Sequence, residues 1–228
     1  MQWRGANPGI EQAPAATLAE RLEQITTQVA ALVPAEKRRA PEQWIEELRA
    51  AGALERILPV GAPAPDFELP DINKQPVRSR ELRARGRLVI AFYRGRWCPY
   101  CVAALEALRD IAPKIAARGA SLIAISPQTV QQSSFAAEQH ELRFPVLSDA
   151  SNRVARQFGV ATSLPEYLQE HYKRVFINLP HCNGDTSWEL PLPATFVLER
   201  DGRVLWRWAD ADFRRRAEPA AILEALSA

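Results

Sequence analysis

The sequence predicts an α/β sandwich with a central mixed sheet, plus an N-terminal helical arm. From about residue 60 onward, short apolar runs alternate with longer stretches of helical periodicity. A β-hairpin and a helix then close the chain, and the residues ahead of that region show helical spacing alone. The division drawn here is an arm over residues 1–58 and a main domain over 59–228.

In the arm, Leu18, Leu22, Ile25, Val29 and Leu32 recur at helical spacing up to Pro34. A second helix is expected with Pro41 in its first turn and Trp44, Ile45 and Leu48 on its apolar face, ending near Gly52. That apolar face must be covered by the main domain or by a second copy of the chain, so a homodimer through the arm is one expectation. Gly61-Ala62-Pro63-Ala64-Pro65 is a stiff linker, followed by a short hairpin from Phe67-Glu68-Leu69 through Asp71–Lys74 to Pro76-Val77. Ser79 is expected to cap a short helix closed by Gly86.

The apolar run Arg87–Tyr93 predicts a buried strand and Val102–Arg118 a long helix, with Gly119 ending it. Ser121–Ser126 is a second buried strand, Thr129–Leu142 a helix, Phe144–Leu147 a short strand and Ser151–Phe158 a helix. Residues 163–191 look irregular apart from a short helix near Glu166–Tyr172. Thr195–Leu198, a turn at Asp201-Gly202, and Val204–Trp208 form a hairpin, and a last helix runs from about Pro219 to Leu226.

The chain has 228 residues, 47% hydrophobic and 25% charged, as expected of a globular protein with one good core. A formal net charge of +2 does not argue for nucleic acid, and the one tight arginine run, Arg214-Arg215-Arg216, reads as a solvated face. No apolar stretch is long enough to span a bilayer, and Met1-Gln2-Trp3-Arg4-Gly5 lacks the basic-then-apolar pattern of a secretory signal. A cytoplasmic protein with reduced thiols is the expectation.

The chemistry concentrates in Cys98-Pro99-Tyr100-Cys101, at a strand-to-helix junction. Unpaired N–H groups and the positive helix end favour a thiolate there, and Arg94 and Arg96 lie just upstream. A thiolate with a second cysteine one turn away can form a mixed bond and be resolved into a disulfide. Zinc would need four ligands, and only Cys182 and three histidines remain to complete a set, so no metal is expected. A structural disulfide closing so short a loop removes little chain entropy, and Trp97, Pro99 and the helix start fit an activated pair better than an inert one. Cys98 is favoured as the attacking sulfur because the first thiol of such a pair is generally the more exposed. Cys182 reads as a free thiol without a role.

Three segments resemble the thioredoxin superfamily, and in detail its peroxiredoxin-like (alkyl hydroperoxide reductase/thiol-specific antioxidant) family. They are Gly61-x-x-Ala64-Pro65-x-Phe67-x-Leu69, Phe92-Tyr93-Arg94-Gly95-x-Trp97-Cys98-Pro99-Tyr100-Cys101 and Pro193-Ala194-Thr195-Phe196. The resemblance implies a thioredoxin-like, peroxiredoxin-type sandwich. In the family's register Cys101 falls on the peroxide-attacking cysteine and Cys98 on a threonine that hydrogen-bonds it. Arg94 replaces a shielding proline, and the family's transition-state arginine falls on Pro193. Pro193 matches instead the cis-proline that thioredoxins hold against their disulfide.

The function implied is that of a thiol-dependent oxidoreductase cycling Cys98 and Cys101, with Arg94, Trp97, Pro99, Tyr100 and Pro193 in support. A hydroperoxide or disulfide would be the substrate, and a thioredoxin- or glutaredoxin-type protein the reductant, with no cofactor. The alternatives are a disulfide reductase that uses no peroxide, and a redox sensor in which the disulfide switches docking of the arm.

Overall fold

The computed structural model describes residues 17–227, so the opening Met1–Gly5 segment lies outside the described residues. The elements run α1 (Leu18–Leu32), α2 (Ala35–Ala50), β1 (Glu68–Pro70), β2 (Pro76–Arg78), α3 (Ser79–Arg85), β3 (Leu88–Phe92) and α4 (Pro99–Ala117). They continue with β4 (Ser121–Ser126), α5 (Val130–Gln139), β5 (Val146–Ser148), α6 (Arg153–Gln157) and β6 (Ala161–Ser163). Last come α7 (Glu166–Arg174), α8 (Leu179–Asn183), β7 (Glu189–Pro191), β8 (Ala194–Leu198), β9 (Val204–Ala209) and α9 (Pro219–Ala225).

Five strands form the central sheet in the order β5-β4-β3-β8-β9. The pairs β3–β4 and β4–β5 are parallel, while β3–β8 and β8–β9 are antiparallel, which makes the sheet mixed. Every residue of β3 and β8 is buried because both faces of the sheet are covered. Side chains alternate across it: Val89 and Ala91 pack with α1, α4 and α9, while Leu88, Ile90 and Phe92 pack with Trp44, Ile57, Phe158 and Leu168. This places the end of β3, and the junction that follows it, inside the molecule.

The arm packs on its own main domain. Leu18 and Leu22 of α1 join the core around α4, and Trp44 and Leu48 of α2 join the core on the opposite face. The start of α1 is fixed by a reciprocal cap between Thr17 and Glu20, and by the Glu218 carboxylate, which accepts from the amides of Leu18 (3.3 Å) and Ala19 (2.7 Å). The second arm helix begins earlier than expected. Pro34 takes the N-cap position, and Pro41 stands inside α2. Burial of Trp44, Ile45 and Leu48 offsets the hydrogen bond lost at that proline.

Two local expectations are corrected. Ser79 does not cap α3; its hydroxyl accepts from the Phe67 amide (3.0 Å) and donates to Asp66, tying the first hairpin to the domain. The region from 163 to 191 is more regular than its composition suggests. Beyond α7, the short helix expected near Glu166–Tyr172, it holds α8 and a β6–β7 ladder pairing Ala161 with Pro191, each too short to produce a periodic signal.

The link between arm and domain rests on a close backbone approach. Leu58 donates to the Phe158 carbonyl (3.1 Å), and Gly159 follows with φ +73°. A Cβ at Gly159 would lie 2.0 Å from the Arg56 carbonyl oxygen. Gly159→Ala should therefore destabilise the protein by about 2 kcal/mol or more, read from the denaturant midpoint. An unchanged midpoint would show that this linker is free to shift.

Candidate active site

The chain leaves β3 at Phe92 and enters α4 at Pro99, so residues 93–98 cross the end of the sheet between its covering layers. Cys98 is the N-cap residue, and Pro99 fits the first helical position, where its missing N–H costs nothing. The Cys98 carbonyl accepts from the amides of Cys101 (3.0 Å) and Val102 (3.1 Å), which sets both thiols on the first turn. Gly95 allows the crossing: with φ +155°, a Cβ there would lie 2.4 Å from Nε1 of Trp97.

Both sulfurs are buried, Cys98 at 2% exposure and Cys101 at 0%, so the expectation that Cys98 is the exposed one is not met. Proximity to the sheet end and cover from the 210–217 segment outweigh its position at the helix start. Cys101 receives the donors. Nη2 of Arg216 donates to its Sγ at 2.9 Å, and the Arg94 amide at 3.4 Å. Cys98 has only Nη1 of Arg94, at 4.0 Å.

Burial opposes ionisation of Cys101, but three influences outweigh it. They are the S–H donated by Cys98, the charges of Arg216 and Arg94, and the Arg94 amide, which together hold Cys101 well below the usual thiol range. For Cys98, burial comes first, followed by its hydrogen bond to Cys101 and that sulfur's charge, and its thiol is pushed well above that range. The two thiols are thus driven apart: a thiolate at Cys101 and an S–H donor at Cys98.

Arg94 is 1% exposed and surrounded by aromatic rings. Its guanidinium carbon lies 4.4 Å from the Phe213 ring centroid, 5.0 Å from Trp97 and 5.9 Å from both Trp44 and Tyr172. It also donates to the Tyr172 hydroxyl. Arg96, the other upstream cation, is exposed; it bonds Gln132 (2.7 Å) and lies over Phe135, away from the thiols. Tyr100 is buried with its edge toward Phe213, and its hydroxyl accepts from Thr26 of the arm (3.3 Å).

Pro193 is buried just ahead of β8, and the peptide bond before it is trans, which corrects the expected thioredoxin-type cis-proline. Its neighbour Thr195 lines a cavity of about 20 Å³ together with Cys101, Arg216 and Tyr93, walled by Ala104, Leu108 and Ile222. That volume holds a group of about water size against the sulfur. Cys182 sits half-buried on α8, where burial pushes its thiol up and Arg96 offsets only part of the shift. All three cysteines are free thiols, and among the described residues no three metal-ligating side chains come together. No described helix is long and apolar enough to cross a membrane.

Sequence reasoning missed Arg216, Phe213, Tyr172 and Trp44. The arginine run is split by the fold: Arg214 pairs with Asp212 (2.8 Å), the Arg215 side chain is 68% exposed, and Arg216 turns inward. No periodicity marks an irregular segment of this kind, so nothing in the run distinguishes its last member.

Comparison with known proteins bears on this geometry. The model of the AhpC/TSA family matches residues 60–207. A Mycobacterium tuberculosis protein named as a peroxiredoxin is 36% identical over 112 residues, covering 49% of this chain and 73% of its own. The thiol-disulfide oxidoreductase ResA of Bacillus thuringiensis is 22% identical over 153 residues, covering 66% of this chain and 70% of its own. The crystal structure of peroxidoxin BcpB from Mycobacterium tuberculosis superposes with a TM-score of 0.58 at 29% identity, over 75% of this chain and 97% of that one. With the mixed sheet, the junction cysteines and the family match in agreement, the chain belongs to the AhpC/TSA family and is a peroxiredoxin-like thiol oxidoreductase.

Proposed function

We propose that the protein reduces hydroperoxides through the Cys101 thiolate, with Cys98 as the resolving thiol. The observation that carries this reading is the convergence of Arg216 Nη2 and the Arg94 amide on Cys101 Sγ beside a small cavity. The thiolate attacks the terminal peroxide oxygen, forming an S–O bond as the O–O bond breaks, and the departing alkoxide takes a proton from solvent. Arg216 is placed to hold the negative charge that develops on that oxygen. Cys98 then attacks the sulfenic sulfur, forming the S–S bond and releasing water. A thioredoxin- or glutaredoxin-type protein returns the dithiol; Trp97 packs on Arg94, Pro99 starts the helix that carries the thiols, Tyr100 packs on Phe213 and Pro193 leads into β8.

Single-turnover mixing with hydrogen peroxide and with an organic hydroperoxide, followed by thiol blocking and mass spectrometry, tests the proposal. The expected result is loss of two alkylatable thiols, Cys98 and Cys101, with Cys182 still labelled. Peroxide left unconsumed while a disulfide substrate is reduced would replace this reading with disulfide exchange.

The sensor reading draws on the arm, since Thr26 and Trp44 both contact site residues. A sensor would react once and not turn over when supplied with reductant.

A further inference from the structure

Two guanidiniums meet at this site with one negative charge between them, Arg94 buried and Arg216 half-buried. Arg94 bonds the Tyr172 hydroxyl and approaches Cys98, and Arg216 bonds Cys101 and the carbonyls of Phe213 (2.6 Å) and Arg215 (2.5 Å). Among the described residues neither forms an ion pair with a carboxylate. The Nε–H of each is buried without an acceptor. An arginine cannot relieve its burial by losing a proton, so its charge has to be balanced or exposed. While Cys101 is a thiolate, the trio carries one net positive charge. Oxidation converts the Cys101 thiolate and the Cys98 thiol into a disulfide, releasing one proton and two electrons. It leaves the buried Arg94 and the half-buried Arg216 with no counter-charge.

We propose that the oxidised protein binds a small monovalent anion at Arg94 and Arg216, beside the cysteine pair, and expels it when the thiolate re-forms. This rests on the reading above in taking Cys98 and Cys101 as the redox pair. The argument from charge applies to any step that removes the thiolate. The two unpartnered Nε–H groups supply donors, and the cavity of about 20 Å³ that Arg216 lines with Cys101, Thr195 and Tyr93, the residue next to Arg94, supplies a place of nearly the right size for a halide. Binding to one redox form only makes the disulfide harder to reduce as the anion rises. Each tenfold excess over the dissociation constant shifts the dithiol–disulfide balance about tenfold.

The test uses the full chain, oxidised with diamide, which accepts the two electrons and two protons to become a hydrazine and is then removed. Thermal midpoints are compared in chloride and in gluconate, an anion too large for the cavity, at equal ionic strength. The oxidised protein should show a saturable rise of roughly 2–4 °C in chloride. The reduced protein should show none, nor should oxidised Arg216→Gln or Arg94→Gln. The double variant Cys98→Ser/Cys101→Ser cannot be oxidised and lacks the thiolate, so it should show the chloride rise without any treatment. That arm separates the anion site from the peroxidase reading, because it holds even if no disulfide forms. An equal rise in reduced and oxidised protein, a rise that survives both arginine substitutions, or a double variant indifferent to chloride would each overturn the proposal.

Discussion

Cys101→Ser should abolish peroxide turnover, lowering the rate by about a thousandfold or more, while Cys98→Ser should still consume one equivalent of peroxide. The asymmetry follows from the donors around each sulfur. Cys101 has the Arg216 guanidinium at 2.9 Å and the Arg94 amide at 3.4 Å, and its thiol is held well below the usual range. Cys98 is driven the other way, so it stays protonated and serves as the donor to its partner. In Cys98→Ser the serine hydroxyl keeps a donor beside Cys101, and with no resolving thiol a sulfenic acid should accumulate and be trapped by a dimedone-type reagent. Turnover by Cys101→Ser, or a dead Cys98→Ser that forms no sulfenic acid, would reverse the assignment.

The sequence points to the pair but not to the order in which its members act. Strand, thiols and long helix were legible because each has a strong local signal: an apolar run in β3, Pro99 at the helix start, and apolar spacing along α4. The central sheet followed from the alternation of such segments, and the expected strand over Ser121–Ser126 coincides with β4. Which sulfur ionises depends on side chains that arrive from far along the chain. Arg216 lies in a segment without periodicity, Tyr172 on α7 and Trp44 on the arm. Arg216 meets Cys101, and Tyr172 and Trp44 meet Arg94, only after the sheet is covered on both faces, so local pattern carries no trace of the encounter. Exposure fails as a guide for the same reason, since Cys98 at a helix start is ordinarily accessible but here lies beneath the aromatic enclosure of Arg94. Family register had indicated Cys101, and the distribution of donors supports that register over the general rule for C-x-x-C pairs.

Arg216→Ala should lower kcat/KM for hydroperoxides by about a hundredfold to a thousandfold at neutral pH, the cost of losing one preorganised donor at a developing oxyanion. Two contributions combine in that loss, and pH separates them. In the wild type the Cys101 thiol is lowered, so the thiolate persists as pH falls below the ordinary thiol range and is lost only when pH drops through that lowered value. The same sign governs stability. The contribution of Cys101 to stability is present above the ordinary thiol range of about 8.5 and disappears as pH falls through its value in the folded protein, while Cys98, shifted upward, contributes with the opposite sign. Removing Arg216 takes away one of the lowering influences and leaves burial, so the thiol moves up and the rate of the variant should climb between neutral pH and about pH 9. That climb reports the thiolate alone. The part of the deficit that survives at alkaline pH, where both proteins are ionised, measures stabilisation of the departing oxygen. We expect about tenfold to survive and Arg216→Lys to recover only part of it, since an ammonium supplies charge without the planar fork that can bond sulfur and oxygen together. Iodoacetamide alkylation of Cys101 has no departing peroxide oxygen and should show only the pH-dependent part. A peroxide deficit that vanishes completely at alkaline pH would confine Arg216 to holding the thiolate, and place the stabilisation of the leaving oxygen on the Arg94 side of the site.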